Sequence, residues 1–439
     1  MTLQLFSSWL PAIALSIFFI GYALVIAEEH LAMRKSKPMV LAAGLLWMLL
    51  RIAEKRFHLD LNALEHFNEN LLEYAHLFFF LFVSMTYVNA LSDLNIFSTL
   101  RSRLIDFKLS YRQLFWMTGA LAFFISPIAD NLTTALVMGA VLLAVGKDNP
   151  NFIGLGCINI VVAANAGGAF SPFGDITTLL VWQQGLVPFG GFFKIFIPAL
   201  VNFVVPAALM SPSISNAVPQ ATDERVELAP GALIVLSLFL LTILTAVLCH
   251  HFLDLPPTFG MMLGLAYLQL FTYWQKHVTY ENKGQGLNVF QLMERIEWDT
   301  LLFFYGVMFC VGALSTLGVL EHLSSFLYGT LGTHLPQAHQ ATPAHIIIGL
   351  ISAVMDNIPV MVSVLKMNPP LSEGQWLLVT LTAGVGGSLL SIGSAAGVAL
   401  MGQARQHYTF MTHLRWTWAI ALGYILSITA HCLINNASF

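Results

Sequence analysis

Apolar runs of about 20 residues recur along the whole chain, and each is long enough to cross a bilayer as an α-helix. Charged residues make up only 10% of the 439 residues, whereas a soluble protein carries roughly a quarter. The sequence therefore predicts an all-α polytopic membrane protein with about 11–13 transmembrane segments and the lipid bilayer as its surroundings. The clearest runs are Trp9–Ala27, Tyr74–Leu91, Gly231–Phe252, Leu301–Leu320 and His413–Cys432.

A proline-rich connection divides the chain into two halves. The polar segment from Ser211 to Pro230 follows one apolar region and precedes another. We expect residues 1–210 to hold N-terminal helices and a first repeat, 211–230 to be a connecting loop, and 231–439 to hold a second repeat. The net charge of −4 and the lack of a long basic tract argue against a nucleic-acid partner.

Two motifs occur once in each half and in the same order. "SPIADNLTTALVM" (Ser126–Met138) precedes "NAGGAFSPFGDITTLL" (Asn165–Leu180), and "SAVMDNIPVMVSV" (Ser352–Val364) precedes "GVGGSLLSIGSAAGVAL" (Gly384–Leu400). The first motif aligns at an offset of 226 positions (from 130 to 356), and the second at 219 (from 167 to 386). This agreement predicts a duplicated structural unit.

The first motif places an Asp-Asn pair beside a proline in an apolar segment. Proline frees carbonyl groups from the helical ladder, and at membrane depth such backbone survives only inside protein or beside a watery cavity. An aspartate buried there is costly and typically marks an ion or proton path. Asparagine, serine and threonine can also simply join helices by hydrogen bonds, but the duplication of Asp-Asn favours the functional interpretation.

The second motif combines a glycine pair with a further break. Gly167-Gly168 and Gly386-Gly387 allow close approach of backbones, although glycines alone are also typical of plain helix packing. The "SPFGD" string adds a proline, a glycine and Asp175, which the alignment places opposite Ser394. In broken-helix transporters, unwound carbonyls and half-helix ends meet the substrate.

The candidate binding residues carry oxygen and lie at these breaks. The predicted cation- and proton-binding residues are Asp130, Asn131, Thr133, Thr134, Asn165, Asp175, Thr177, Thr178, Asp356, Asn357, Ser391 and Ser394. The predicted backbone breaks are at Pro127, Gly167, Gly168, Pro172, Gly174, Pro359, Gly386, Gly387 and Gly393.

Three carboxylates with no matched intramembrane Lys or Arg indicate a cation site. Asp130, Asp175 and Asp356 are the predicted ligands of a transported metal cation, because hard cations prefer oxygen. Burial disfavours the ionised carboxyl group, so the same site can hold a proton instead. Such competition is the minimal machinery of an antiporter, and it predicts a secondary transporter rather than an enzyme, with no cofactor.

Five strings resemble bacterial sodium/proton antiporters of the NhaD type, in the wider ion transporter superfamily. They are "SPIADNLTTALVM", "VVAANAGGAFSPFGDITTLLVW", "LPPTFGMMLGL", "ISAVMDNIPV" and "GGSLLSIGSAAGVALMG". The resemblance implies exchange of sodium or lithium for protons, pH homeostasis, and a multi-pass protein of the bacterial inner (plasma) membrane. It further implies two inverted repeats with broken helices and re-entrant hairpins, a homodimer, and an elevator-like movement.

Two other functions stay open on the sequence. Superfamily relatives take up carboxylates with sodium or export oxyanions such as arsenite, but Asp175 inside the motif argues against an anion site. An intramembrane aspartyl protease also needs paired carboxylates. However, Pro172 stands where that protease motif requires glycine, Ala129 stands where tyrosine is expected, and the Asp356 motif would have no use.

Overall fold

The regular secondary structure of the described residues is helical throughout, which confirms the predicted all-α class. The computed structural model describes residues 9–31, 33–106, 109–146, 149–219, 226–276 and 287–439. Within these ranges, eight helices are long and apolar enough to cross a membrane. Each of the five apolar runs named above overlaps one of these helices, although the run from Leu301 continues past Thr316 and the run from His413 begins before Thr417. The total of 11–13 segments stays a prediction, because the broken helices described below are individually short.

The described helices are numbered in chain order. Those before the connecting segment are α1 (Trp9–Ile26), α2 (Glu28–Leu31), α3 (Ser36–Phe57), α4 (Ala63–Asp93), α5 (Ile96–Asp106), α6 (Tyr111–Ala129), α7 (Asn131–Val145), α8 (Pro150–Gly168), α9 (Ile176–Gln183) and α10 (Phe196–Met210). Those after it are α11 (Ala232–Leu253), α12 (Pro257–Trp274), α13 (Val289–Glu294), α14 (Trp298–Thr316), α15 (Val319–Gly329), α16 (Thr342–Ser352), α17 (Asn357–Met367), α18 (Glu373–Gly386), α19 (Ala395–Gln403), α20 (Phe410–Leu414) and α21 (Thr417–Ile434).

The chain folds into two units, and each unit draws on both sequence halves. The first consists of Met1–Asp93, Gly231–Phe326 and Val362–Pro369, and the second of Leu94–Pro230, Leu327–Met361 and Pro370–Phe439. The expected division at 211–230 rests on the duplicated motifs, whereas these two units are defined by contacts within the structure. The division into repeats stays a prediction. Positions 220–225 of that connection lie outside the described residues.

In the first unit, small residues let helices pack closely. A β-carbon on Gly260 or Gly264 of α12 would collide with Ala246 or Thr242 of α11, so glycine sets this distance. The hydroxyl of Tyr87 donates a hydrogen bond to the Gly264 carbonyl at 2.7 Å. Close packing and buried hydrogen bonds are the interactions expected to join helices where the surrounding lipid is itself apolar.

In the second unit, α8 and α18 form the centre. Every residue from Phe152 to Gly168 and from Gly374 to Gly386 is buried, so these helices have no outward face. Their starts are specified locally: the side chain of Asn149 accepts from the Phe152 amide, and that of Ser372 from the Gln375 amide. α6 and α7 pack against α8, and α16 packs against α18.

Candidate functional site

Four helix breaks lie where the duplicated motifs predict them. α6 gives way to α7 at Asp130, and four residues separate the end of α16 at Ser352 from the start of α17 at Asn357. α8 ends at Gly168 and α9 begins at Ile176, whereas α18 ends at Gly386 and α19 begins at Ala395. Pro127 lies inside α6, and Pro359 lies in the first turn of α17. All eight half-helices around these breaks belong wholly or in part to the second unit.

The two motifs make the same hydrogen bond in each half. The Ser126 hydroxyl donates to the Ala164 carbonyl at 2.6 Å, and the Ser352 hydroxyl donates to the Ala383 carbonyl at 2.7 Å. The serines are related by the offset of 226 and the alanines by the offset of 219 found in the sequence. The duplication is therefore present in the contacts, while the inverted orientation of the repeats stays a prediction.

Glycine positions repeat in the same way. A β-carbon on Gly167 would collide with the Phe123 carbonyl, and one on Gly386 would collide with the Gly349 carbonyl. Gly168 packs on the Gly174 carbonyl and Gly387 on the Gly393 carbonyl, each leaving only 2.7 Å for a β-carbon. The glycines thus bring each break against its neighbouring helix.

Asp175 is the point at which the two repeats meet. Its side chain is 5% exposed and caps α9 by accepting from the Thr177 amide at 3.0 Å. Asn357 donates to both carboxylate oxygens, at 3.1 and 2.8 Å, and Asn131 lies 3.5 Å from one of them, at the outer limit of a hydrogen bond. The asparagines of both duplicated pairs therefore converge on one carboxylate, and all three donors are neutral groups.

Asn165 extends this network to the second repeat. Its side-chain oxygen accepts from Asn131 at 3.1 Å, and its amide donates to the Ser394 hydroxyl at 3.0 Å. Ser394 caps α19 with extended backbone dihedrals, as Asp175 caps α9 (φ −140° and −144°). The alignment of Asp175 with Ser394 is thus also a structural correspondence.

Asp130 makes a different set of contacts. One carboxylate oxygen accepts from the Thr133 amide at 2.8 Å and the other from the Thr133 hydroxyl at 2.9 Å. The carboxylate therefore caps α7, where the positive end of the helix dipole also stabilises its negative charge. Thr133 contributes to this cap.

The other predicted residues differ in how directly they reach the centre. Asp356 is half-buried and interacts electrostatically with Asp175. The Thr178 hydroxyl lies within hydrogen-bond distance of the Ser171 and Asp175 carbonyls, to which it donates, and so it helps to hold the break. The remaining predicted side chains, which are buried at or beside the breaks, are Thr134, Thr177 and Ser391.

Several residues of the site could not be predicted from the motif chemistry. Ser126, Ser171 and Ser352 hold the breaks through backbone carbonyls, and His413 and Thr417 do the same from outside the motifs. The repetition of Ser126 as Ser352 at the offset of 226 was a usable signal in the sequence.

The site is not a preformed cluster of strong metal ligands. Across the described ranges, no three His, Cys, Asp or Glu side chains lie close enough together to hold a metal ion. A transported cation here would be bound by one or two carboxylates together with amide, hydroxyl and backbone oxygens. Such a ligand set suits a weakly held monovalent cation better than a resident transition metal.

Paired helix breaks around a buried carboxylate, in a polytopic helical protein, are typical of secondary transporters. The family described as "Citrate transporter" matches residues 22–384. The Na(+)/H(+) antiporter NhaD of Alkalimonas amylolytica is 52% identical, covering 100% of this chain and 93% of its own. That of Halomonas elongata is 50% identical (100% and 91%), and Sodium/proton antiporter 1 of Arabidopsis thaliana is 32% identical (98% and 74%).

The chain therefore belongs to the NhaD family of antiporters, within the wider transporter family that the first match describes. It is a multi-pass membrane transporter and not an enzyme.

Proposed function

We propose that this protein exchanges sodium for protons across the bacterial inner membrane and that Asp175 binds the two ions alternately. The observation that supports this most strongly is the convergence of Asn131 and Asn357 on the Asp175 carboxylate. The relatives named as sodium/proton antiporters, which are similar over nearly the whole chain, support the choice of ions.

The environment of Asp175 suits both forms of its carboxyl group. Burial favours the neutral, protonated form, while the amide donors of Asn131 and Asn357 favour the carboxylate. A sodium ion is stable only beside the carboxylate, so it and the proton exclude one another. Asp356, which interacts with Asp175, is the second carboxylate of the proposed site, and lithium is expected to replace sodium.

The test compares Asp175→Asn with a matched control in inside-out membrane vesicles. Sodium is added to acidified vesicles, and proton efflux is followed with a pH-sensitive dye. We expect Asp175→Asn to abolish the sodium-dependent signal, because an amide cannot carry a proton or neutralise a cation. Asp254→Asn makes the same chemical change at an exposed helix end, where asparagine tolerates the positive φ of 52°, and should retain exchange. Full exchange by Asp175→Asn would contradict the proposal.

Citrate is the second candidate substrate, because the matching family is described as a citrate transporter. Uptake of labelled citrate in the same vesicles separates the two functions. We expect no sodium-dependent citrate accumulation, since the buried carboxylate of Asp175 would repel a carboxylate ligand. Citrate uptake without sodium/proton exchange would replace the proposed function.

A further inference from the structure

The breaks after α8 and α18 are held in different ways. In the first repeat, Ser171 donates to the Pro127 carbonyl and Thr178 donates to the Ser171 carbonyl, both at 2.8 Å. At the offset of 219, these hydroxyl residues correspond to Leu390 and Gly397, which have no hydroxyl. The break after α18 therefore lacks the two side-chain hydrogen bonds that hold the break after α8.

Side chains from α20 and α21 bind the carbonyls of the second break. His413 Nε2 lies 2.9 Å from the Ser388 carbonyl, and the Thr417 hydroxyl donates to the Leu389 carbonyl at 2.9 Å. These are consecutive carbonyls just beyond the end of α18. His413 lies near the end of α20 and Thr417 at the start of α21, on either side of the turn at positions 415–416, and both reach the break.

The hydrogen bonds of His413 fix which ring nitrogen carries the proton. A backbone carbonyl only accepts, so Nε2 must donate to Ser388. In the neutral ring Nδ1 then accepts, and the Tyr408 hydroxyl, 2.7 Å away, donates to it. His413 is fully buried, and both of its nitrogens are used.

A short series of contacts connects the break held by His413 and Thr417 to the proposed binding site. Next to Ser388, Gly387 packs on the Gly393 carbonyl. The following residue is Ser394, whose hydroxyl accepts from Asn165, and Asn165 accepts in turn from Asn131. A displacement of the second break would therefore move the Ser394 and Asn165 oxygens relative to Asp175.

We propose that His413 and Thr417 are positioning residues for sodium, which hold the second break so that Ser394 and Asn165 keep their place beside Asp175. This inference depends on the proposed function. The part of the sodium site that the second repeat contributes is then positioned by residues outside the duplicated motifs. Loss of the His413 or Thr417 hydrogen bond weakens sodium binding more than it lowers the maximal rate of exchange.

The test uses Thr417→Val, which removes the hydroxyl and keeps the shape of the side chain. We expect the sodium concentration for half-maximal exchange to rise by roughly three- to tenfold, the effect of losing one part-buried hydrogen bond, with little change in maximal rate. Thr417→Ser should restore the wild-type value. Thr429→Val, on the same helix, removes a hydroxyl that only donates to its own helix at Ile425 and should change nothing.

A second pair of variants addresses His413. His413→Gln keeps an N–H donor for the Ser388 carbonyl and should lie between wild type and His413→Leu in sodium half-saturation. Stabilisation of the purified protein by sodium against heat, relative to choline, should weaken in the same order.

The outcomes separate the two proposals. No sodium-dependent exchange by the wild type would overturn the proposed function. Wild-type exchange together with an unchanged half-saturating sodium concentration in Thr417→Val and His413→Leu would overturn the positioning role alone. A loss of maximal rate with unaltered sodium half-saturation and stabilisation would do the same.

Discussion

Asp130 occupies a backbone conformation that few residues other than glycine adopt, with φ 57° and ψ 163°. Such a conformation costs about 1–3 kcal/mol and persists only where its surroundings enforce it. Here the two hydrogen bonds from Thr133 offset part of the cost by capping α7. An aspartate held in this way at a break serves the geometry of the break, whatever its part in ion binding.

Asp130→Asn separates the cap of α7 from the charge. Asparagine keeps a side-chain oxygen for the Thr133 amide, so we expect the variant to fold and to melt within a few degrees of wild type. If Asp130 binds the cation or proton as the sequence predicts, sodium/proton exchange should be lost. Asp130→Ala, which also removes the cap, should lower stability by about a further 1 kcal/mol. Measured side by side, normal exchange in Asp130→Asn would limit the residue to its capping role.

At the scale of helices, the design of each broken pair depends on backbone contact. Ser126 joins α6 to α8, and Ser352 joins α16 to α18. Gly167 and Gly386 let the same helices approach each other. The carbonyls freed by the breaks are bound by hydroxyls in the first repeat and by His413 and Thr417 in the second. Each break thus has freed carbonyls that accept hydrogen bonds from side chains, which is what unwound backbone in a membrane requires.

Gly167→Ala and Gly386→Ala test the equivalence of the two pairs. In each variant the new methyl group would meet the carbonyl of Phe123 or Gly349, so we expect both to lose several kcal/mol and give little monodisperse protein. Gly44→Ala in α3 places its methyl group in open space and should be neutral or slightly stabilising. The measurement is thermal unfolding of detergent-purified protein. Equal stability of Gly386→Ala and Gly44→Ala would contradict the packing described.

At the scale of the whole molecule, the sequence predicted the all-α class and the positions of the four helix breaks, while its set of ion-binding residues stays a prediction. Apolar length predicted the spanning helices, and the duplicated motifs predicted the four breaks and the pairing of Asp175 with Ser394. These features follow from local chemistry and internal repetition. The homodimer, the elevator-like movement and the inverted orientation stay predictions.

What the sequence could not predict depends on contacts between distant segments. Asn131 and Asn357 are 226 positions apart, and nothing in either motif indicates that both amides reach the same carboxylate. Likewise, His413 lies outside every motif, and only the fold brings it to Ser388. The interleaving of the two sequence halves in both units also follows from long-range packing.

The most direct test of the account is a double-mutant cycle on sodium half-saturation with Asn131→Ala, Asn357→Ala and the combined variant. Since both amides act on the Asp175 carboxylate, we expect strong non-additivity, with a coupling energy of about 0.5–3 kcal/mol. Additive effects of the two substitutions, as for independent sites, would contradict the convergence of both repeats on one carboxylate.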